Sequence, residues 1–318
     1  MAALIALLET QLGLSWTDIV EWLREQNSLD VIEARLIERG ISGVLLEEVE
    51  TAAARYADDL HAAFTRAGER TAAVVDAQLD DALVRFEQTN YRAVARAEVN
   101  KYELVKGLSE ESRTVVRRVV ADGVEAGANP RVIARDIRDS IGLTDAQQQH
   151  VANYRRALEQ ADYSKAMGYE LRDARSDKML RRLDRDDGRL SGEQIDRMVE
   201  RYRKNYVAYR AETIARTEAL RAAHEGADEL FLQAINRGDL ELEQLESMWN
   251  AGPRTKHARD EHQAMDEQVQ PFGEPFVAPD GTTLRYPGDP NAGARHTANC
   301  RCRKSTVIKA PAAAAAAA

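Results

Sequence analysis

The chain holds two cysteines, Cys300 and Cys302, one residue apart in "ARHTANCRCRKST", residues 294–306. On an extended segment, residues i and i+2 point to the same face, so both sulfurs can reach one ion. Thiolates and imidazoles are the ordinary donors for zinc, and His257, His262 and His296 lie in the same C-terminal third. His257 and His262 are five apart. On a helix that sets them about 140° from each other, so both cannot face one ion unless the helix breaks between them. The donor set is therefore His262, Cys300 and Cys302, with His296 a further candidate. Two other readings stay open: buried thiols that only pack, and a disulfide, which this spacing would strain.

Catalytic patterns are poor. The sequence has no Gly-rich phosphate loop, no Gly-x-Ser-x-Gly and no His-Glu-x-x-His. "HARDEHQAMDE" puts Asp260, Glu261 and Asp266 beside His262, which could serve acid–base or metal work. In a chain that is 31% charged, such clusters are more often solvated helix faces. The expectation is a protein that is not an enzyme. Arg295, Arg301, Arg303, Lys304 and Lys309 form the one clearly basic stretch, which could meet phosphates or an acidic partner, or simply rim a small module.

These residues need a scaffold, and most of the sequence spells helix. "SWTDIVEWLREQ" offers Ser15 as N-cap with Ile19, Trp22 and Leu23 on one face. Residues 51–86 have Ala-rich helix chemistry with a modest break at Gly68. Asn129 caps a helix with Pro130 at its first position, Val132, Ile133 and Ile137 facing inward, and Gly142 ending it. Ser191 and Gln194 form a capping box. After it Ile195, Met198, Val199, Tyr202, Tyr206 and Tyr209 recur every three or four residues, up to a stop at Gly238: one long helix, or two with a bend. Beyond residue 248 proline and turn signals take over, and "PDGTTLRYP" reads as a turn at Asp280–Gly281 leading into a short strand. The fold class expected is mainly α, an elongated helical body with a small C-terminal α+β module. The segments are a helical region at 1–100, a helical body with the long helix at 101–238, the module at 239–309 and a low-complexity tail at 310–318.

Bulk properties narrow the classes. The length allows two or three domains, and aromatic residues at 6% leave helix packing to Ala, Leu, Ile and Val. A net charge of −9 is the wrong sign for a protein that coats nucleic acid. "MAALIALLETQLGLSW" lacks a basic start and is interrupted by Glu9, so it reads as an amphipathic helix and not as a targeting segment. No membrane span is expected.

Several motifs occur together in order: "IARTEALRAAHEGA" at 214–227, "MWNAG" at 248–252, "RDEHQAMDEQ" at 259–268, "EPF" at 274–276, "YPGDPNAG" at 286–293 and "NCRC" at 299–302. On these the chain resembles the phage Mu F-like family of minor head proteins, also called the phage head morphogenesis family, over roughly residues 100–305 and most clearly from 210 onward. The family's Arg-Thr-Glu helix maps to Arg216 and Glu218, its Trp to Trp249, and its closing Asn-Cys-Arg-Cys to Asn299, Cys300 and Cys302. Two departures stand out: the family often has Gly where Glu267 stands, and an acidic residue soon after the Trp, where this chain has "AGPRT". From the residues alone, Arg216 can pair with Glu212 four positions earlier.

The resemblance implies a low-copy virion component and no established catalytic activity. Its expected partners are the portal protein, and then major capsid or scaffolding protein and viral DNA. Its expected place is the capsid interior near the portal vertex, with the host cytoplasm during assembly. The expected roles are head assembly, DNA packaging or DNA ejection. No cofactor is expected, although a structural zinc is compatible with the cysteine end. Asn299, Cys300 and Cys302 are expected to pack against His262 and Trp249. The alternatives are a metal-dependent nuclease or hydrolase built on His262 and the cysteines, and a nucleic-acid-binding adaptor using the basic stretch.

Overall fold

A computed structural model describes residues 1–40, 46–78, 84–253 and 258–309. His257 and the tail at 310–318 lie outside the described residues. Eleven α-helices are found among the described residues: α1 (Ala2–Gln26), α2 (Leu29–Arg39), α3 (Leu46–Asp76), α4 (Tyr91–Glu125), α5 (Pro130–Ser140), α6 (Asp145–Glu159), α7 (Tyr163–Met167), α8 (Asp177–Arg185), α9 (Gly192–Arg237), α10 (Asp260–Ala264) and α11 (Gly293–Thr297). Five short strands follow α9: β1 (Leu245–Asn250), β2 (Val269–Pro271), β3 (Phe276–Val277), β4 (Thr283–Leu284) and β5 (Arg303–Ile308). The protein is mainly α with a small α+β end.

The caps explain several helix limits. Asn129 accepts from the Val132 N–H at 3.0 Å with Pro130 at the first position of α5. Ser191 and Gln194 exchange hydrogen bonds at 2.8 and 3.3 Å at the start of α9. That helix runs unbroken for 46 residues to Gly238, whose φ of +78° stops it. Two expected boundaries fail. Ser15 lies inside α1, because buried Ile5, Leu8, Leu12, Trp16, Ile19 and Leu23 keep one helical phase on both sides of it. α3 likewise passes through Gly68, where Phe86 packs so closely that a Cβ would sit 2.3 Å from its ring. Tyr209, expected on the inner face of α9, is 47% exposed.

The chain divides into two compact units. The first comprises Met1–Leu14, Ala57–Lys101 and Glu212–Ala318, the second Ser15–Tyr56 and Tyr102–Ala211. The four long helices α1, α3, α4 and α9 each supply a stretch to both. In the second unit Trp16 meets Tyr56 edge-on at 5.5 Å, and Tyr154, Tyr169, Tyr202 and Tyr206 form an aromatic cluster with centroids 4.4–5.7 Å apart. In the first unit Ala72, Val75, Val84, Leu230, Phe231, Ala234, Leu240, Leu245 and Phe272 form a core on which the strands rest. α1 is long and apolar enough to cross a membrane by length and composition alone. Its apolar stripe is buried in protein, as in a core helix.

The strands form an antiparallel sheet in the order β2-β1-β5, with Trp249 opposite Lys304 and Met248 opposite Val269. β3 and β4 make a separate hairpin around the Asp280–Gly281 turn. Glu267, where the family often has Gly, has φ +62°, and its N–H donates to the Trp249 carbonyl at 2.9 Å. A left-handed residue is therefore required there, and this chain meets the need with a residue carrying a Cβ.

Candidate functional site

His262 sits on the one-turn helix α10, and its ring is buried under Trp249, edge-on at 5.3 Å. Arg259, just before α10, donates to the Arg295 and Ala298 carbonyls at 2.6 Å each, tying α10 to α11 and the cysteine segment. The Cys300 and Cys302 sulfurs lie 3.4 and 3.7 Å from His262 Nδ1. The three donor atoms fall within 4.8 Å of one another, and all three residues are buried. The sequence-derived set of His262, Cys300 and Cys302 is thus brought together, and these residues could hold a metal ion. Both cysteines are free thiols.

His296 is not among these donors. It stacks behind His262, with Nδ1 3.2 Å from His262 Nε2 and Nε2 3.0 Å from Asp280 Oδ2. Thr282, by its backbone N–H first and then its hydroxyl, holds the Asp280 carboxyl down at about 2, with a further contribution from His296. An ionised carboxylate only accepts. In the neutral rings, His296 Nε2–H donates to Asp280 and His262 Nε2–H donates to His296, which leaves the His262 Nδ1 lone pair aimed at both sulfurs. In the sequence Asp280 reads only as a turn residue. Its link to His296, sixteen positions on, has no local sequence signal.

The hydrogen bond from Cys300 brings the Cys302 thiol down against the cost of burial, with His262 and the Gly252 N–H helping. The same bond and burial push Cys300 up. Gly252 N–H lies 3.4 Å from the Cys302 sulfur, and a Cβ at Gly252 would sit 2.7 Å from the Arg301 carbonyl oxygen. Only glycine allows this approach.

Asn299 does not pack on His262 with its side chain. With φ +56° it turns toward α9, accepting from Arg216 at 2.7 Å and donating to the Thr213 hydroxyl at 3.2 Å. Its N–H donates to the Thr217 hydroxyl at 3.3 Å. Arg216 therefore reaches off its own helix, to Asn299 and to Glu9 at 3.6 Å. Glu218 is half-buried on the same helix, and its desolvation there raises its carboxyl. Next along α9, Glu225 accepts from the Tyr286 hydroxyl at 2.6 Å, and His224 accepts from the Lys304 N–H at 3.4 Å. The Arg-Thr-Glu helix thus seats both the "YPGDP" turn and the cysteine end.

The basic stretch is not one open patch. Lys304 is buried and paired with Asp228, and Lys309 with Glu246. Arg295 contacts Glu261 and, at 3.8 Å, Asp280. Arg301 is exposed and Arg303 half-buried. Of the carboxylates near His262 in sequence, Glu261 goes to Arg295 and Asp266 accepts from the Ala251 N–H at 2.7 Å.

An α-helical protein whose C-terminal α+β module is clasped to one long helix, with a buried His-Cys-Cys centre, is the class that fold and site define. Residues 186–305 match the family described as Phage Mu protein F like protein. The match covers less than half of the 318 residues, and over that stretch the chain is similar to the family. No curated protein and no solved structure matches the chain.

Proposed function

We propose that this protein is a low-copy head morphogenesis component that docks at the portal vertex and acts in capsid assembly, DNA packaging or DNA ejection. The observation that carries this reading is the Mu F-like match over residues 186–305. Its expected partners are the portal protein, with major capsid or scaffolding protein and viral DNA as further contacts, and its expected location is the capsid interior. The geometry supports a structural role over a catalytic one. The His-Cys-Cys centre is buried, and Glu261 and Asp266 are engaged with neighbouring groups and not with His262. A nucleic-acid adaptor loses support because Lys304, Lys309 and Arg295 are matched by acids within the module.

The test uses particles assembled with and without the protein, with tagged protein followed through purification. Co-purification with portal subunits, and particles that fail to fill or deliver DNA in its absence, are expected. Particles that lack it, yet have a normal portal vertex and deliver DNA normally, would remove the reading.

A further inference from the structure

We propose that His262, Cys300 and Cys302 hold one soft divalent cation of the zinc class, with His296 and Asp280 as the outer shell that aims the imidazole. The inference concerns the module's own chemistry and stands or falls separately from the head-assembly reading. Three observations converge on it. The donors are two sulfurs and one imidazole nitrogen, the set that zinc prefers. Their spacing fits: with Zn–S of about 2.3 Å and Zn–N of about 2.0 Å, a tetrahedral sulfur–nitrogen edge is about 3.5 Å, and the two edges here are 3.4 and 3.7 Å.

The third observation is the chain behind the imidazole. Zinc-bound histidines ordinarily donate their other N–H to a fixed acceptor that sets the tautomer. Here His262 Nε2 faces His296 Nδ1 and His296 Nε2 faces Asp280, so a carboxylate orients the ligand through an intervening ring. Both imidazoles are buried, and they stack with their centroids 5.4 Å apart. The same seclusion argues against a cysteine nucleophile, whose sulfur must reach a substrate carbonyl. Three protein donors leave one tetrahedral position for water.

The full-length protein, purified without chelator or a histidine tag, is equilibrated with Zn(II) and then, separately, with Co(II). One zinc per chain by mass spectrometry is expected. Cobalt is expected to give thiolate-to-metal charge-transfer absorption and visible bands of tetrahedral intensity. Cys300→Ser/Cys302→Ser should reduce the metal to background. Because that variant could fail to fold, His296→Ala and Asp280→Asn are measured too. Both keep every donor and should weaken zinc roughly 10- to 100-fold in competition with a chromophoric chelator. Wild-type protein, folded by circular dichroism, that takes up neither ion or gives cobalt spectra without thiolate bands overturns the site. Outer-shell variants that bind zinc as tightly as wild type overturn the role given to His296 and Asp280.

Discussion

Replacing Asn299 by alanine removes the clasp between the cysteine end and α9 in one step, and the size of the loss can be worked from its contacts. The bond from the Arg216 guanidinium, at 2.7 Å and partly buried, is worth about 1.5–3 kcal/mol. The amide to the Thr213 hydroxyl, at 3.2 Å, adds about 1 kcal/mol. Holding alanine at φ +56° costs about 1 kcal/mol more. Arg216 keeps Glu9, so the low ends apply and about 3–4 kcal/mol is expected in all. Asn299→Gly loses the same side-chain bonds but not the backbone term, so it should fall short of the alanine effect by about 1 kcal/mol. Hydrogen exchange read by mass spectrometry on peptides covering 245–250 and 303–308 reports the opening of the sheet locally. A double-mutant cycle with Arg216→Ala isolates the Arg–Asn term. If sheet protection is the same in Asn299→Ala, Asn299→Gly and wild type, the clasp does not hold the module and the reasoning is wrong.

Other outcomes follow from the same structure. Gly226→Ala should destabilise by about 1–3 kcal/mol, because its Cβ would meet the Phe64 carbonyl oxygen at 2.4 Å. Gly107→Ala, in α4 with open space around it, should stabilise by about 0.5–1 kcal/mol. Matching signs in urea titrations of the two would refute the close approach at Gly226. Glu267→Gly should raise stability by up to about 1 kcal/mol by relieving the positive φ, whereas Glu267→Val should cost about 1–2 kcal/mol there, both read from the thermal midpoint. Burial first of all raises the Asp139 carboxyl to about 6, against opposition from Arg155 and Arg24. The native state then binds more protons than the unfolded chain between about pH 4 and 6, so stability falls as pH rises through that window. Asp139→Asn should remove this loss and raise stability at pH 7.5, by at most about 3 kcal/mol, with little effect at pH 4. A stability difference between variant and wild type that does not depend on pH would contradict the burial argument.

Helix limits set by a cap were legible in the sequence because capping chemistry is local: Asn129 with Pro130, Ser191 with Gln194, and Gly238. Ser15 misled for the same reason. It has a capping side chain, but the apolar phase of α1 continues through it, and burial of Ile5, Leu8, Leu12, Trp16, Ile19 and Leu23 outweighs one local alternative. His262, Cys300 and Cys302 could be grouped from donor chemistry alone. The His296–Asp280 pair and the Arg216–Asn299 bond could not, since each joins residues 16 to 83 positions apart with no periodic signature. Lys304 shows a related limit. A lysine in a basic run reads as solvated, and only the fold reveals Asp228 waiting for it on α9.

The middle strand of the sheet has a consequence for how the protein is made. β1 is flanked on one side by β2, about twenty residues downstream, and on the other by β5, whose partners begin at Arg303 opposite Asn250. During synthesis, β1 emerges with its full-length partner still untranslated. Until residue 308 is free, one backbone edge of β1 is unpaired, and neither sulfur is in place beside His262. The module is therefore a late-closing unit whose last-made strand completes both the sheet and the buried centre. A nascent or nicked chain that stops short of β5 exposes a strand edge next to Trp249, the kind of surface that pairs with other chains.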